Sequence, residues 1–392
     1  MRIYTCTPVA FGGGEDFFAR DSGLLCRGLQ MIGIESRAVM PGERKPEDGA
    51  DLIRTDYPDL ESAAWWKSLG IDGLVLYAWG HPKYHKVAAA IHAAGIPLVL
   101  NLDSGGFLSP HVGLGDWLRA QWVYGGQGRG VGSWLRFAKL SVFRFFGGLL
   151  VTERLRVRHL ECGDAIACVS PGAARYVRRL CHHHGGDGLA DRVTVIPHSV
   201  EPAFRFPGGN KRRQVACVGR WDDGIQKRTW LLAEVIGRVL ETDDEVCFVI
   251  AGKAAPGLEK WHSCLPDAGR KRVKLTGMIG RAELVALLGE SRVFYSPSAY
   301  ESFGIAAAEA LCSGCSVVAG RSVTMAAFDW FVSEKSGQLA STDDACGHAE
   351  ALVRELAAWD NGDRDAPGIS TAWCARLHAD RVAMKVREIL KR

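Results

Sequence analysis

Short, continuously apolar runs alternate with longer amphipathic stretches from one end of the chain to the other. In the first half the runs are RIYTCT (2–7), GLVLYA (73–78), PLVLNL (97–102), AIACVS (165–170) and VTVIPH (193–198). In the second half they are QVACVG (214–219), VCFVIAG (246–252), RVKLTG (272–277), RVFYSPS (292–298) and CSVVAG (315–320). Runs that are apolar throughout, rather than at every second position, describe strands buried on both faces. The stretches between them, such as TWLLAEVIGRVLE (229–241) and RAELVALLGE (281–290), carry helical periodicity. The pattern predicts an α/β protein of parallel sheets covered by helices.

The pattern restarts after EPAFRFPGGNKRRQ (201–214), where Pro, Gly and a basic run predict a linker. The expected organisation is a Rossmann-like domain over 1–200, a linker over 201–213, a second Rossmann-like domain over 214–370 and a terminal helix over 371–392. A return of that last helix onto the first domain is left open by the sequence. Ligands of such sheets bind beyond the carboxyl ends of the strands. Chemistry is therefore sought in the loops that follow each apolar run, with both domains contributing to a central cleft.

Composition narrows the class. A chain of 392 residues suits two domains. Its 47% hydrophobic and 23% charged content excludes a disordered polymer. No window offers the roughly 18 uninterrupted apolar residues of a membrane-spanning helix, and the start MRIYTCTPVAFGGGEDFF does not read as a secretory signal. The 12 cysteines are scattered through apolar contexts, the pattern of buried thiols in a reducing cytoplasm. Cys312 and Cys315 have C-x-x-C spacing without a second pair, so no zinc or redox constellation is read there. Cys181 and His182–His184 make a metal-like cluster, but a polar loop before GGDG is expected, and no metal site is assigned.

The segment 292–320 concentrates the chemistry. Its strand ends at Pro297, a short loop carries Glu301, and a small-residue helix is expected from about Phe303 to Cys312 with Glu309 two turns in. Ser302, Phe303, Gly304 and Ile305 present the N–H groups of the first helical turn, a place where an anion gains both donors and the positive end of the dipole. Carboxylates on either side can accept hydrogen bonds from hydroxyls.

In these residues the chain resembles retaining glycosyltransferases of the GT-B fold, of the large GT4-type group (glycosyl transferases group 1). The resemblance rests on the E-x7-E signature Glu301…Glu309 within SAYESFGIAAAEAL, on VGRWDDGIQK (218–227) and on VIPHSVE (195–201). It implies that Glu301 contacts the donor sugar and that Glu309 binds the ribose of a nucleotide. Arg220 and Lys227, after one strand and before the next helix, would neutralise a diphosphate leaving group. The loop between them is two residues longer than the family pattern, and Arg228 stands as a substitute for Lys227. By the same resemblance Gly219, Gly252, Lys253, Met278 and Ile279 surround the nucleotide, while Gly13 and Gly14 of the GGGED loop lie beside the diphosphate. Glu15 and Asp16 in that loop oppose phosphate binding, so a merely flexible loop stays open.

Asp103 occupies the position where many such relatives carry a His. It is expected to orient an acceptor or sugar hydroxyl, with His111 as a rival on the same loop and an N-capping role as the plain alternative. Residues 113–160 hold Arg119, Arg129, Arg136, Lys139, Arg144, Arg154, Arg156 and Arg158, interleaved with Trp117, Trp122, Trp134, Phe137, Phe143, Phe145 and Phe146. Cations mixed with aromatics suit contact with an anionic membrane surface, or a helix packed on the body with a solvated rim. No nucleic-acid module is apparent.

The expected activity is transfer of a sugar, with retention, from a nucleotide-diphosphate sugar to a hydroxyl of a glycan or lipid-linked acceptor. No cofactor or metal is expected, and the expected location is cytoplasmic with peripheral contact at the inner membrane face. The alternatives are a nonhydrolysing nucleotide-sugar epimerase, a glycoside hydrolase with two opposed carboxylates, and a noncatalytic nucleotide-sugar-binding protein of the same fold.

Overall fold

The computed structural model describes residues 1–103, 109–111, 113–125, 130–147, 151–253 and 255–391. The chain forms two compact units, Met1–Glu201 together with Leu377–Arg392, and Pro202–Arg376. The expected pair of Rossmann-like α/β units is found.

The first unit holds a wholly parallel sheet of seven strands: β1 (Ile3–Cys6), β2 (Ala38–Pro41), β3 (Leu52–Thr55), β4 (Gly73–Tyr77), β5 (Leu98–Leu102), β6 (Ala165–Cys168) and β7 (Val193–Val195). Their order is β3-β2-β1-β4-β5-β6-β7. Alternation along β4 shows why its sequence is apolar throughout. Leu74 and Leu76 join a core with Trp66, Val87 and Ile91, whereas Val75 and Tyr77 join the opposite core with Leu25, Leu29, Val382 and Val386. Part of that second core comes from the end of the chain. The Ala379–Leu390 helix packs on the Asp21–Met31 helix, and Val200 exchanges backbone hydrogen bonds with Leu377 and Ala379.

The second unit holds β8 (Arg212–Val218), β9 (Cys247–Ala251), β10 (Val273–Gly277), β11 (Ser291–Ser296), β12 (Ser316–Ala319) and β13 (Gly337–Leu339), all parallel, in the order β10-β9-β8-β11-β12-β13. The Thr229–Thr242 and Ala345–Asp360 helices cover one face through Leu231, Val235, Val239, Leu352 and Leu356.

Three strands are absent from the sequence reading: β2, β3 and β13. Each is short, and β3 and β13 are sheet edges where one side needs no apolar cover. In β3 the polar Arg54 is itself buried, because its guanidinium pairs with Asp48 at 2.9 Å. The 201–213 stretch, a linker by composition, packs into the second unit instead. Phe204 is fully buried, and Lys211 Nζ donates to the carbonyls of Leu288, Gly289 and Ser291 at 2.9–3.0 Å. The basic run reads as solvated only until these carbonyls are found.

Candidate active site

In each sheet the chain reverses direction of travel at one place: between β1 and β4 in the first unit, and between β8 and β11 in the second. There the loops at the strand ends diverge and leave room for a ligand. The candidate residues gather at these two places.

In the second unit the β8 loop and the β11 loop are stitched together. Trp221 is buried and its Nε1 donates to Ala251 O at 2.9 Å, while its backbone N donates to Lys253 O at 3.0 Å. Gln226 joins the loops: Ala299 N donates to its carbonyl at 2.8 Å, and its side-chain nitrogen donates to Tyr300 O at 3.0 Å. This frame holds Lys227 against Glu301 in an ion pair, with Ser298 Oγ donating to the same Glu301 oxygen at 2.9 Å. Arg220 lies on the solvent side, its guanidinium 3.4 Å from the Gln226 side-chain oxygen. Arg220, Lys227 and Glu301 are therefore brought to one strand-end region. Gln226 is one residue that sequence reasoning missed.

Arg228 is not the substitute for Lys227 that its position suggested. It is buried, adopts φ 45°, and donates to Pro297 O at 2.6 Å, Ser298 O at 3.2 Å and Asp343 at 2.8 Å. Its charge holds the β11 loop from behind and is already spent there.

The small-residue helix spans Ile305–Cys312, two residues later than expected, because Gly304 takes φ 82° as its N-cap. A left-handed cap residue is one that glycine adopts without cost. Ser302, Gly304 and Ile305 are half-buried, and the Phe303 ring is buried against Phe331, so Phe303 can offer a ligand only its backbone. Glu309 is buried and accepts from Arg281 Nη1 at 2.8 Å; Arg281 also lies over the Phe204 ring at 4.5 Å.

Among the other expected donor-binding residues, Gly252 sits at φ 118° at the end of β9, where a Cβ would lie 1.9 Å from Gly219 O. Gly219 and Gly252 thus lock two strand ends together. Lys253 pairs with Asp222 at 2.9 Å, Met278 is exposed, and Ile279 is half-buried.

In the first unit the strand ends enclose a cavity of about 790 Å³, lined among others by Thr7, Gly12, Gly14, Asp21, Tyr77, Trp79, Asp103 and His198. Gly13, expected beside it, is buried instead, where a Cβ would overlap Asp48. The buried His198 places Nε2 3.2 Å from Asp103 Oδ2 and Nδ1 3.7 Å from Asp21 Oδ1. Burial alone would depress the imidazole pKa, but Asp103 and then Asp21 outweigh it and raise it above the ordinary value. Asp103 is accordingly half of an acid–imidazole pair; the N-capping alternative concerns residues 104–108, which lie outside the described residues. His198 lies in the VIPHSVE segment but carried no assigned role in the sequence; only the fold brings it to Asp103.

Backbone strain marks both places. Among the described residues, the non-glycine residues with positive φ are Asp21, Trp79 and Arg228. Two line the cavity and the third braces the Lys227–Glu301 loops, in keeping with the tendency of strained backbone to collect at functional sites.

Two surface readings change. His182, His183 and His184 form the last turn of the Pro171–Gly185 helix rather than a polar loop, which Gly186 ends at φ 74°. His111 turns away from the role of rival to Asp103, with Nδ1 2.8 Å from Glu153 Oε2. Within 113–160, the cations divide. Arg129 lies outside the described residues, and Arg156 is turned inward to donate to Gly80 O at 3.2 Å, burial pushing its pKa down to about 9. Arg136, Lys139 and Arg144 remain exposed on the Val131–Gly147 helix, together with Trp134, Leu135, Val142, Phe143 and Phe146. Ser141 is the one buried residue on that helix. Among the described residues no helix is long and apolar enough to cross a membrane.

Residues 212–358 match the family described as "Glycosyl transferases group 1". The uncharacterized glycosyltransferase YqgM of Bacillus subtilis (strain 168) is 26% identical over 179 residues, covering 44% of this chain and 45% of that protein. D-inositol 3-phosphate glycosyltransferase of Corynebacterium efficiens is 26% identical over 190 residues, covering 43% and 44%. The chain thus spans less than half the length of these curated relatives. Among solved structures, sucrose-phosphate synthase from Thermosynechococcus elongatus superposes with a TM-score of 0.62 at 16% identity, covering 100% of this chain and 98% of that one. The apo lipopolysaccharide outer core galactosyltransferase WaaB does so at 0.64 and 14%, covering 100% and 99%. Anabaena Alr3699/HepE in complex with UDP-glucose does so at 0.58 and 14%, also covering 100% and 99%. These likenesses establish the GT-B fold.

Proposed function

We propose, from the premise that residues 212–358 belong to the glycosyl transferases group 1 family, that the protein transfers a sugar with retention from a nucleotide-diphosphate sugar to a hydroxyl of a glycan or lipid-linked acceptor. The observation that carries this reading is the Lys227–Glu301 pair with Arg220 on the same loop, at the strand ends where the second sheet reverses.

Each group has a role that its chemistry fits. A departing nucleoside diphosphate gathers negative charge, and preorganised cations at that position stabilise it; this is usually the largest catalytic contribution. Arg220 offers a planar fork suited to phosphate oxygens, and Lys227 a point charge. Glu301 accepts from sugar hydroxyls while Lys227 and Ser298 hold it in place. The backbone of Ser302–Ile305, at the start of the Ile305–Cys312 helix, adds donors for phosphate oxygens. A carboxylate has about four acceptor sites, so Glu309 can accept ribose hydroxyls while keeping Arg281. In the first unit Asp103 and His198 orient the acceptor hydroxyl, and Tyr77 and Trp79 give its ring an apolar wall. On a front-face path the leaving phosphate takes the acceptor proton, so no enzyme nucleophile is needed. Alr3699/HepE, solved with UDP-glucose, supports a donor of this kind.

The test is a thermal-shift screen with UDP-, GDP- and ADP-sugars, followed by nucleotide release with candidate acceptors. One donor at a hundredfold excess over its Kd is expected to add about 2.7 kcal/mol of stability. Failure of every nucleotide sugar to shift the Tm overturns the reading.

The Val131–Gly147 helix supports peripheral contact with an anionic membrane. Exposed aromatics can enter the interface while Arg136 and Lys139 meet lipid phosphates. The protein is expected to float with anionic vesicles and not with neutral ones, and Trp134→Glu with Phe143→Glu to remain at the bottom of the gradient. If the native protein stays at the bottom with anionic vesicles, this contact is lost from the proposal and the enzymatic reading is untouched.

A further inference from the structure

Outside the site just described, four side chains from three separate stretches of the sequence converge in the first unit. Glu153 begins the Glu153–Glu161 helix and is 4% exposed. One of its oxygens, Oε2, meets His111 Nδ1 at 2.8 Å and His184 Nε2 at 2.9 Å. The ring of His183 stacks on His111 with centroids 4.3 Å apart. His111, His183 and His184 each bring a ring nitrogen within 4.8 Å of the others. None of the four lines the cavity of the first unit.

We propose that His111, His183 and His184 bind one divalent transition-metal ion of the zinc class, with Glu153 orienting two of the three imidazoles.

Three arguments lead there. The first is ligand chemistry: imidazole nitrogens select zinc, copper or nickel over calcium and magnesium, which want oxygen. The second is geometry. A zinc–nitrogen bond of about 2.0–2.1 Å in a tetrahedral site puts ligand nitrogens about 3.4 Å apart. The three ring nitrogens now lie within 4.8 Å of one another, so binding would draw the rings closer together. The third is the buried carboxylate. A carboxylate that receives the second ring nitrogen of a metal-bound histidine fixes its tautomer and raises its basicity; because Glu153 holds His111 Nδ1 and His184 Nε2, the ligand atoms on those two rings would be His111 Nε2 and His184 Nδ1.

The ion would clip the 109–111 segment, which leads into the Leu114–Tyr124 helix, to the end of the Pro171–Gly185 helix. That is a positional role for the metal. Sugar transfer as proposed above needs no part of it.

The test uses the full chain without an affinity tag, stripped by chelator and dialysed against zinc, with cobalt as a spectroscopic probe. One zinc per chain is expected, together with a raised Tm and the visible bands of tetrahedral cobalt. Glu153→Gln is expected to weaken zinc about 10–100-fold, and His183→Ala, an exposed position whose loss spares the fold, to weaken it further. His182→Ala is the control, because His182 pairs with Asp187 at 2.6 Å and lies outside the cluster. No stoichiometric zinc, or equal weakening by His182→Ala and His183→Ala, overturns the proposal; equal weakening would mean that zinc merely sticks to a run of surface histidines.

Discussion

Arg220→Ala is expected to leave the protein folded and to lower nucleotide release from donor plus acceptor about 10²–10³-fold, the loss seen when one preorganised group that stabilises developing charge is removed. The two halves of this expectation have separate grounds. Arg220 is exposed, and its side-chain hydrogen bond to Gln226 is a long one, 3.4 Å. Surface substitutions of that kind usually change stability by less than about 0.5 kcal/mol. The loop itself is held by Trp221 and Gln226 and does not depend on the guanidinium. The same exposure leaves Arg220 available to a ligand, unlike the neighbouring Arg228. Arg220→Lys is expected to recover part of the rate, since a point charge remains but the fork is lost. A thermal melt together with a nucleotide-release assay checks both halves. Release at the native rate by Arg220→Ala would remove Arg220 from the mechanism.

How much of this arrangement could be read from residues alone depends on what makes each feature. Strands buried on both faces announce themselves, because nearly every position must be apolar; β1, β4, β5, β6, β11 and β12 are legible for that reason. Edge strands are uneven: β7 and β10 show as apolar runs, whereas β3 carries a buried Arg54 whose partner Asp48 is visible only in space. The Glu301–Glu309 helix is legible because its signal is local, a strand, a small loop and small residues in order. Charged residues are the least legible, since their role is fixed by partners distant in sequence. Lys227 and Arg228 are adjacent and chemically alike. One meets Glu301, while the other turns inward at a left-handed φ to brace carbonyls. Lys211 looks solvated in a basic run and is buried among three carbonyls. His198 gains its meaning from Asp103, which lies 95 residues earlier in the numbering of the chain. His182–His184 mislead for a related reason. Histidines before glycines resemble a loop, but Gly186 ends a helix that the histidines themselves complete.

The Lys227–Glu301 pair carries the second large effect. Both side chains are mostly buried, 15% and 13% exposed, and Ser298 Oγ donates to the same carboxylate oxygen. Such a pair behaves as a unit. Removing the ammonium leaves a carboxylate with one hydroxyl for company, and removing the carboxylate charge leaves the ammonium to swing toward solvent. Loss of one partner of a fully buried pair costs about 3–5 kcal/mol, and residual exposure here reduces that to about 1–2 kcal/mol. The effect on turnover is larger, because each group is aligned by the other. Glu301→Gln and Lys227→Met are each expected to lower kcat about 10²-fold or more. The double variant is expected to fall little below the worse single one, as groups acting together are strongly non-additive. Steady-state kinetics of the three variants, with melts to confirm folding, decide the matter. If the two losses multiply, each residue acts independently on the donor. If either single variant turns over at the native rate, the pair is a structural brace and the reacting sugar must be held elsewhere.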